Sequence, residues 1–240
     1  MKGLSQVVRT ELRLIVRDPM SAFFALAFPV VLLWVKMRGG DDLPSGTREI
    51  DATVPMLSVF VIGLAALVVL PATLAQYRER RILKRLLATP AAPGMLLGAQ
   101  LVAHLLLALS GTAVVVVAGA AGFGLGAPAN VLRVAVAWLL GALSLGALGM
   151  LIGALVPNSR SATLVGLSVF FPMVFVSGAM VPRELTSGVM RTVGDLTPMA
   201  PAVSTLRAAW SGDEQSTTTL AVMALITVLA TAAAARVFRA

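Results

Sequence analysis

The chain has 240 residues, 58% of them hydrophobic and 12% charged, with a formal net charge of +8 at pH 7; soluble domains carry about 25% charged residues. A mean hydropathy of +0.92 and several near-uncharged runs of about 18–25 residues, long enough to cross a ~30 Å hydrocarbon layer as helices, exclude a soluble globular protein and point to a polytopic membrane protein. The lack of cysteine excludes disulfides and thiolate metal sites, and the basic excess suits anionic lipid headgroups and membrane orientation rather than nucleic acid.

Residues 2–19 come first. Leu4, Val7, Val8, Leu12 and Ile15 recur at roughly helical spacing, with Arg9, Arg13 and Arg17 between them. This predicts an amphipathic helix lying in the membrane interface, ended by Asp18-Pro19. The first span is expected at 20–35, with Lys36 snorkelling to the interface. No A-x-A-like cleavage site precedes residues 36–40, so this run reads as a retained span rather than a signal peptide. Pro29 lies inside it and costs the helix a backbone bond, which neighbours in a bundle can make good. The stretch 36–53 mixes bases with Asp41, Asp42, Glu49 and Asp51, and its glycines and Pro44 predict a loop.

The second span is expected at 54–75, with Pro55 at its start and Pro71 near its end. Residues 76–89 follow, read as QYRERRILKRLLAT. Arg78, Arg80, Arg81, Lys84 and Arg85 stand there against one acid, Glu79. Ile82, Leu83, Leu86 and Leu87 fall mostly on one side of a helix, and Arg78, Arg81 and Arg85 on another. Pro90 and Pro93 bracket its end.

The third span, 95–119, contains His104, the single histidine. The glycine-rich stretch 119–128 reads as a turn; it lacks the Lys-Ser/Thr of a phosphate-binding loop. The fourth span, 131–156, is dense in small residues. Gly149 and Gly153 form a G-x-x-x-G pair with Gly146 nearby, a face suited to close helix packing. A turn at 157–160 leads to the fifth span, 161–180, which holds Pro172. Residues 183–210 are of mixed character: short helices are expected at 183–193 and 203–210, interfacial or re-entrant, with Pro198 and Pro201 breaking the chain between them. The sixth span is 218–235. The expected fold is therefore all-α, with six transmembrane helices, an N-terminal interfacial helix and short external helices between spans five and six.

Six spans place both termini on one side. That side gathers twelve of the nineteen Lys/Arg and three of the eleven acids, which puts the termini in the cytoplasm. No paired carboxylates lie inside the spans, and His104 has no Cys or carboxylate nearby to make a metal motif. It reads as a packing or lumen-lining residue, a substrate contact or a proton-relay member. Intramembrane ionisable groups, which ion-driven carriers need, are almost absent, and no Walker-type glycine–lysine motif is present. The chain is not expected to be an enzyme by itself; an energy source on a separate nucleotide-hydrolysing subunit is implied.

Two stretches carry a resemblance. Tyr77 to Pro90 resembles the signature that follows the second span of ABC-2 type permeases, the membrane subunits of bacterial ATP-binding cassette exporters, where E-R-E-x-G-T-L-x-x-L-x-x-T-P is usual. Glu79 keeps one acid of that pattern; Arg81 and Ile82 stand where Gly and Thr are usual. Phe170 to Pro182, then Thr197-Pro198, Ala200-Pro201 and Leu206-Arg207, resemble the end of the family's fifth span and its external helices. The six-span plan matches over nearly the full length, as a single transmembrane domain.

The resemblance implies roles. Residues 2–19 would be a connecting helix near the ATPase. Residues 78–89 would form a cytoplasmic coupling helix, with Arg78, Glu79, Arg81, Leu83, Lys84, Leu86 and Leu87 contacting the ATPase. ATP and Mg would be bound by that partner, in two copies per complex, and none by this chain. A second permease half, most simply a second copy of this chain, would complete the complex in a bacterial inner membrane. His104, Phe171, Met173, Phe175 and Met180 are candidates to line a passage for hydrophobic drugs or lipid-like molecules. The Ala/Val/Arg-rich composition is similar to that of drug-exporting permeases of high-GC bacteria. A polysaccharide or glycolipid exporter of the same fold, a secondary carrier and a non-transporting membrane anchor are the alternatives.

Overall fold

A computed structural model describes residues 23–39, 48–80, 93–180 and 187–239. Among these the chain is all-helical. In order the elements are α1 (Phe23–Met37), α2 (Glu49–Glu79), α3 (Pro93–Phe123), α4 (Val131–Leu155), α5 (Ser159–Ser177), α6 (Gly188–Asp195), α7 (Met199–Ser211) and α8 (Thr217–Arg239). Helices α2, α3, α4, α5 and α8 are long and apolar enough to cross a membrane, and α1 is a shorter apolar helix. The interfacial helix expected at 2–19 lies outside the described residues.

α2 is the central helix. Its apolar window is 89% buried, against 11% for α8, so the bundle is built around one and carries the other at its periphery. α3, α4, α5 and α7 pack against α2, and α8 lies along α4. α2 starts at Glu49, before the expected boundary, because Glu49 and Asp51 occupy its first turn, where acids meet the positive end of the helix dipole. Arg48 Nε donates to Asp51 Oδ2 at 2.8 Å, Arg48 Nη1 donates to the Gly124 carbonyl at 3.1 Å, and Asp51 Oδ1 accepts from Gly126 N at 2.9 Å. These bonds pin the start of α2 to the α3–α4 loop.

Two prolines shape the bundle. Pro29 and Pro71 each follow a π-helical turn, at Phe23–Ala27 and Ala65–Val69. A proline ring clashes with the carbonyl four residues back and offers it no N–H. Those carbonyls belong to Ala25 and Leu67, and the widened turns push them outward. A Cβ added to Gly111 of α3 would fall on the Ala25 oxygen, and one added to Gly166 of α5 on the Leu67 oxygen. A Cβ on Gly149 of α4 would likewise fall on the carbonyl of Ala66, in the same turn of α2. Glycines on three neighbouring helices thus leave room for carbonyls of α1 and α2 to approach closely. Gly153 also faces α2, at Pro71 and Leu74, while Gly146 faces Leu101 of α3.

Asn130 and Asn158 cap α4 and α5, accepting from Arg133 N at 3.0 Å and Ser161 N at 2.8 Å. α5 stops at Gly178 (φ 87°) and α7 at Gly212 (φ 89°), both left-handed C-caps. The two short helices differ. α6 exposes Val189, Val193 and Leu196, whereas α7 buries Met199, Ala200, Val203, Leu206 and Trp210 in the core. Pro198 lies between the two helices, at the N-cap of α7, whereas Pro201 lies inside the first turn of α7, which begins before the expected 203; at both places a missing N–H has no cost.

Candidate functional site

The last turn of α2 carries Arg78 and Glu79 to the junction of α4 and α5. A helix end leaves carbonyls without partners, and the next helix start leaves N–H groups without them. Arg78 Nη2 donates to the carbonyls of Gly153 at 2.7 Å, Ala154 at 2.6 Å and Val156 at 3.0 Å. Glu79 Oε2 accepts from Ser159 N at 3.4 Å, a longer contact at the first residue of α5. The cation therefore meets the negative end of one helix dipole and the anion the positive end of the next. Pro157 shapes the turn between them. Consecutive residues of opposite charge clasp a helix hairpin from a third helix.

Alongside the same stretch of α2 runs a cleft of about 690 Å³ bounded by α1, α2 and α5. Drug-sized ligands occupy cavities of about 300–1,000 Å³. Half-way along α2 its wall is aromatic. Phe24, Phe28, Phe60, Phe170 and Phe171 form a continuous chain of ring contacts, with successive centroids 5.5, 6.1, 5.2 and 5.6 Å apart, and Met180 adjoins them. Leu64, Val68, Val69 and Leu167 continue the wall, and Thr73, Gln76, Ser159 and Thr163 line the end next to the clasp. Among the described residues no charged side chain lines this cleft.

The candidate passage residues are dispersed. Phe171 and Met180 line the cleft. Met173 is buried in the core, and Phe175 is exposed away from the cleft. His104 is buried on the far side of α2, beside a void of only about 10 Å³. Its Nδ1 donates to the Gln100 carbonyl at 2.8 Å, while its Nε2 and the Gln100 amide are buried with no hydrogen-bond partner among the described residues. Of the residues expected to contact an ATPase, Arg78 and Glu79 are described and form the clasp; Arg81, Leu83, Lys84, Leu86 and Leu87 lie outside the described residues, as do Arg9, Arg13 and Arg17. Among the described residues no group of His, Asp or Glu could hold a metal ion.

Sequence reasoning missed Phe24, Phe28, Phe60, Gln76, Ser159 and Thr163. A signal existed in the i, i+4 spacing of Phe24 with Phe28 and of Ser159 with Thr163, which puts each pair on one helical face. That the three faces meet is a tertiary fact. The chain matches the family of ABC-2 type transporters over residues 3–210. No curated protein matches it.

Proposed function

Because the chain belongs to the ABC-2 type transporter family, we propose that it is the membrane-spanning half of an ATP-driven exporter, and that the cleft between α1, α2 and α5 is its share of the passage for hydrophobic or amphipathic molecules, drug-like or lipid-like. The chain performs no bond chemistry. Two copies of a separate ATPase supply the energy, binding ATP and Mg, and a second copy of this chain closes the passage from the other side. Both termini and the segment after α2 face the cytoplasm of a bacterial cell, where residues 78–89 dock on the ATPase.

One observation carries this reading: the helix that forms the cleft wall ends in the clasp. Arg78 and Glu79 immediately precede the basic segment, and Gln76 of the cleft is within one turn of both. A push on the basic segment is delivered at once to α2 and to the α4–α5 junction. α5 forms the opposite cleft wall, so moving the junction changes the width of the cleft. Such alternating exposure needs a mechanical link of this kind and no proton-carrying group.

The test is co-purification with the candidate ATPase and reconstitution in lipid. A stable complex whose ATPase activity rises with hydrophobic drugs, and falls back in Glu79→Ala, is the expected result. No association, with the chain alone moving drug down a proton gradient, overturns it.

A further inference from the structure

The cleft is graded along its length, and the grading defines how a ligand lies in it. At the level of Phe60 the wall is aromatic, with Phe171 half-exposed. Thirteen to sixteen residues later on α2, about 20–24 Å along the helix at 1.5 Å per residue, the lining becomes Thr73 and Gln76, joined from α5 by Ser159 and Thr163. Thr73 Oγ1 donates to the Val69 carbonyl at 2.9 Å, and Thr163 Oγ1 donates to the Ser159 carbonyl at 3.1 Å. Each hydroxyl has spent its proton on its own helix and keeps lone pairs free to accept. The Gln76 carboxamide and the Ser159 hydroxyl make no hydrogen bond to another described side chain or backbone group, and each can both donate and accept. This end therefore matches a head with donors and acceptors together, such as a hydroxyl or an amide.

It does not match an ion. Arg160, next to Ser159, and Arg78 and Glu79, just past Gln76, are the charges nearest in sequence; Arg78 and Glu79 are committed to the α4–α5 junction, Arg160 is exposed, and none of the three is among the described lining residues. A charged head would meet no counter-ion among the described lining residues, and an unpaired charge out of water is far more costly than a hydrogen-bonded neutral group. Resting on the reading of the cleft as the passage, we propose that its ligand is a neutral amphiphile, held with its hydroxyl- or amide-bearing head at Gln76, Ser159 and Thr163 and its apolar body against Phe60, Phe171 and Met180. Gln76 and Thr163 are then the residues that select the head, and Phe171 the residue that grips the body without reading the head.

The experiment uses the full chain in nanodiscs and N-(2-hydroxyethyl)dodecanamide carrying a diazirine either beside the head or at the chain end. After irradiation, cross-linked peptides are mapped by mass spectrometry. The head-side diazirine is expected to label the peptides holding Gln76, Ser159 and Thr163, and the tail-side one those holding Phe60, Phe171 and Met180. Dodecyl phosphate and dodecyltrimethylammonium are the competitors, each expected to displace the probe about tenfold less well than unlabelled amide, the ratio expected for one lost or misplaced polar contact. Gln76→Leu and the near-isosteric Thr163→Val should each remove that preference, whereas Phe171→Ala should weaken all three amphiphiles alike. Labelling within the cleft but in reversed or mixed orientation, or a head preference unchanged by both polar-end variants, overturns the head subsite and leaves the passage standing. Absence of cleft labelling with either diazirine, as when a second copy or a bilayer lipid fills the cleft, overturns the passage reading and the head subsite with it.

Discussion

Arg78 Nη2 lies 2.6 Å from the carbonyl oxygen of Ala154, four residues before Asn158, the N-cap that begins the next helix. One nitrogen from α2 thus closes the end of α4, while Glu79 meets the start of α5. The link is directional. Cations near helix C-termini and anions near N-termini each contribute about 0.3–1 kcal/mol when exposed and more when partly buried. Reversing the order of the two charges would turn both contributions against the fold.

Arg78→Gln is expected to lower both stability and coupling. Hydrogen bonds to charged groups contribute roughly 1.5–3 kcal/mol, and the variant leaves three carbonyls without that donor. The unfolding temperature in nanodiscs should fall, and drug-stimulated ATPase activity of the complex with it. Arg78→Lys keeps the charge as a single point donor and should lie between. Unchanged values for both variants would remove the clasp from the mechanism.

Glu79 separates the two effects. It is exposed and its contact with Ser159 is long, so Glu79→Gln should change stability by no more than about 0.5 kcal/mol. Coupling should nevertheless drop, because the variant loses the charge that faces α5. A melting curve beside a stimulation assay checks this. A large loss of stability would make Glu79 a structural residue instead.

Glycine substitutions test where the displaced carbonyls go. Gly111→Ala and Gly166→Ala put a methyl onto the Ala25 and Leu67 oxygens and should each cost roughly 1–3 kcal/mol of stability, the usual range for overpacking. Gly98 and Gly122 of α3 have open space where a Cβ would stand. Their alanine variants should be neutral or stabilising, since alanine favours a helix over glycine by about 0.5–1 kcal/mol. Thermal unfolding of the four variants side by side decides it. Equal losses at all four positions would mean that close packing at the π-turns is not what those glycines serve.

Much of the bundle was legible in the sequence, because a hydrocarbon layer demands long apolar helices and the chain displays them. The run of cations from Arg78 to Arg85 is plain in the sequence, but beyond Arg80 it lies outside the described residues. What remained hidden is relational. Pro71 announces a lost bond, but nothing in its neighbourhood says that Gly166, ninety-five residues later, receives the carbonyl. Arg78 looked like one more cation of the basic segment, yet its partners are backbone oxygens, which carry no sequence signal. Pro201 read as a breaker because a proline in the first turn of a helix and one between helices look alike until the start is located. Phe60 sat among apolar residues and could be told from core only by the α1 and α5 faces that meet it.

His104 tests the far side of α2. Its Nε2 and the Gln100 amide are buried without partners among the described residues, a cost that an apolar side chain of similar size avoids. His104→Leu should leave the unfolding temperature unchanged or raise it, with export by the complex retained. Loss of export at preserved stability would bring His104 into the translocation step.

Adjacent phenylalanines give the sharpest separation of core from passage. Phe170 is 1% exposed and packs between Phe60 and Phe171; Phe171 is 50% exposed and faces the cleft. Phe170→Ala opens a cavity at the centre of the bundle and should cost about 3–5 kcal/mol, enough to deplete folded protein. Phe171→Ala removes little buried area and should fold normally. Its effect should appear as weaker stimulation of ATPase activity by hydrophobic drugs, read as a higher half-maximal concentration at an unchanged basal rate. Melting curves and drug titrations on the two variants make the comparison. If Phe171→Ala leaves every titration unmoved while Phe170→Ala behaves as expected, the aromatic chain is a packing device of the bundle and the drug path lies elsewhere on α2.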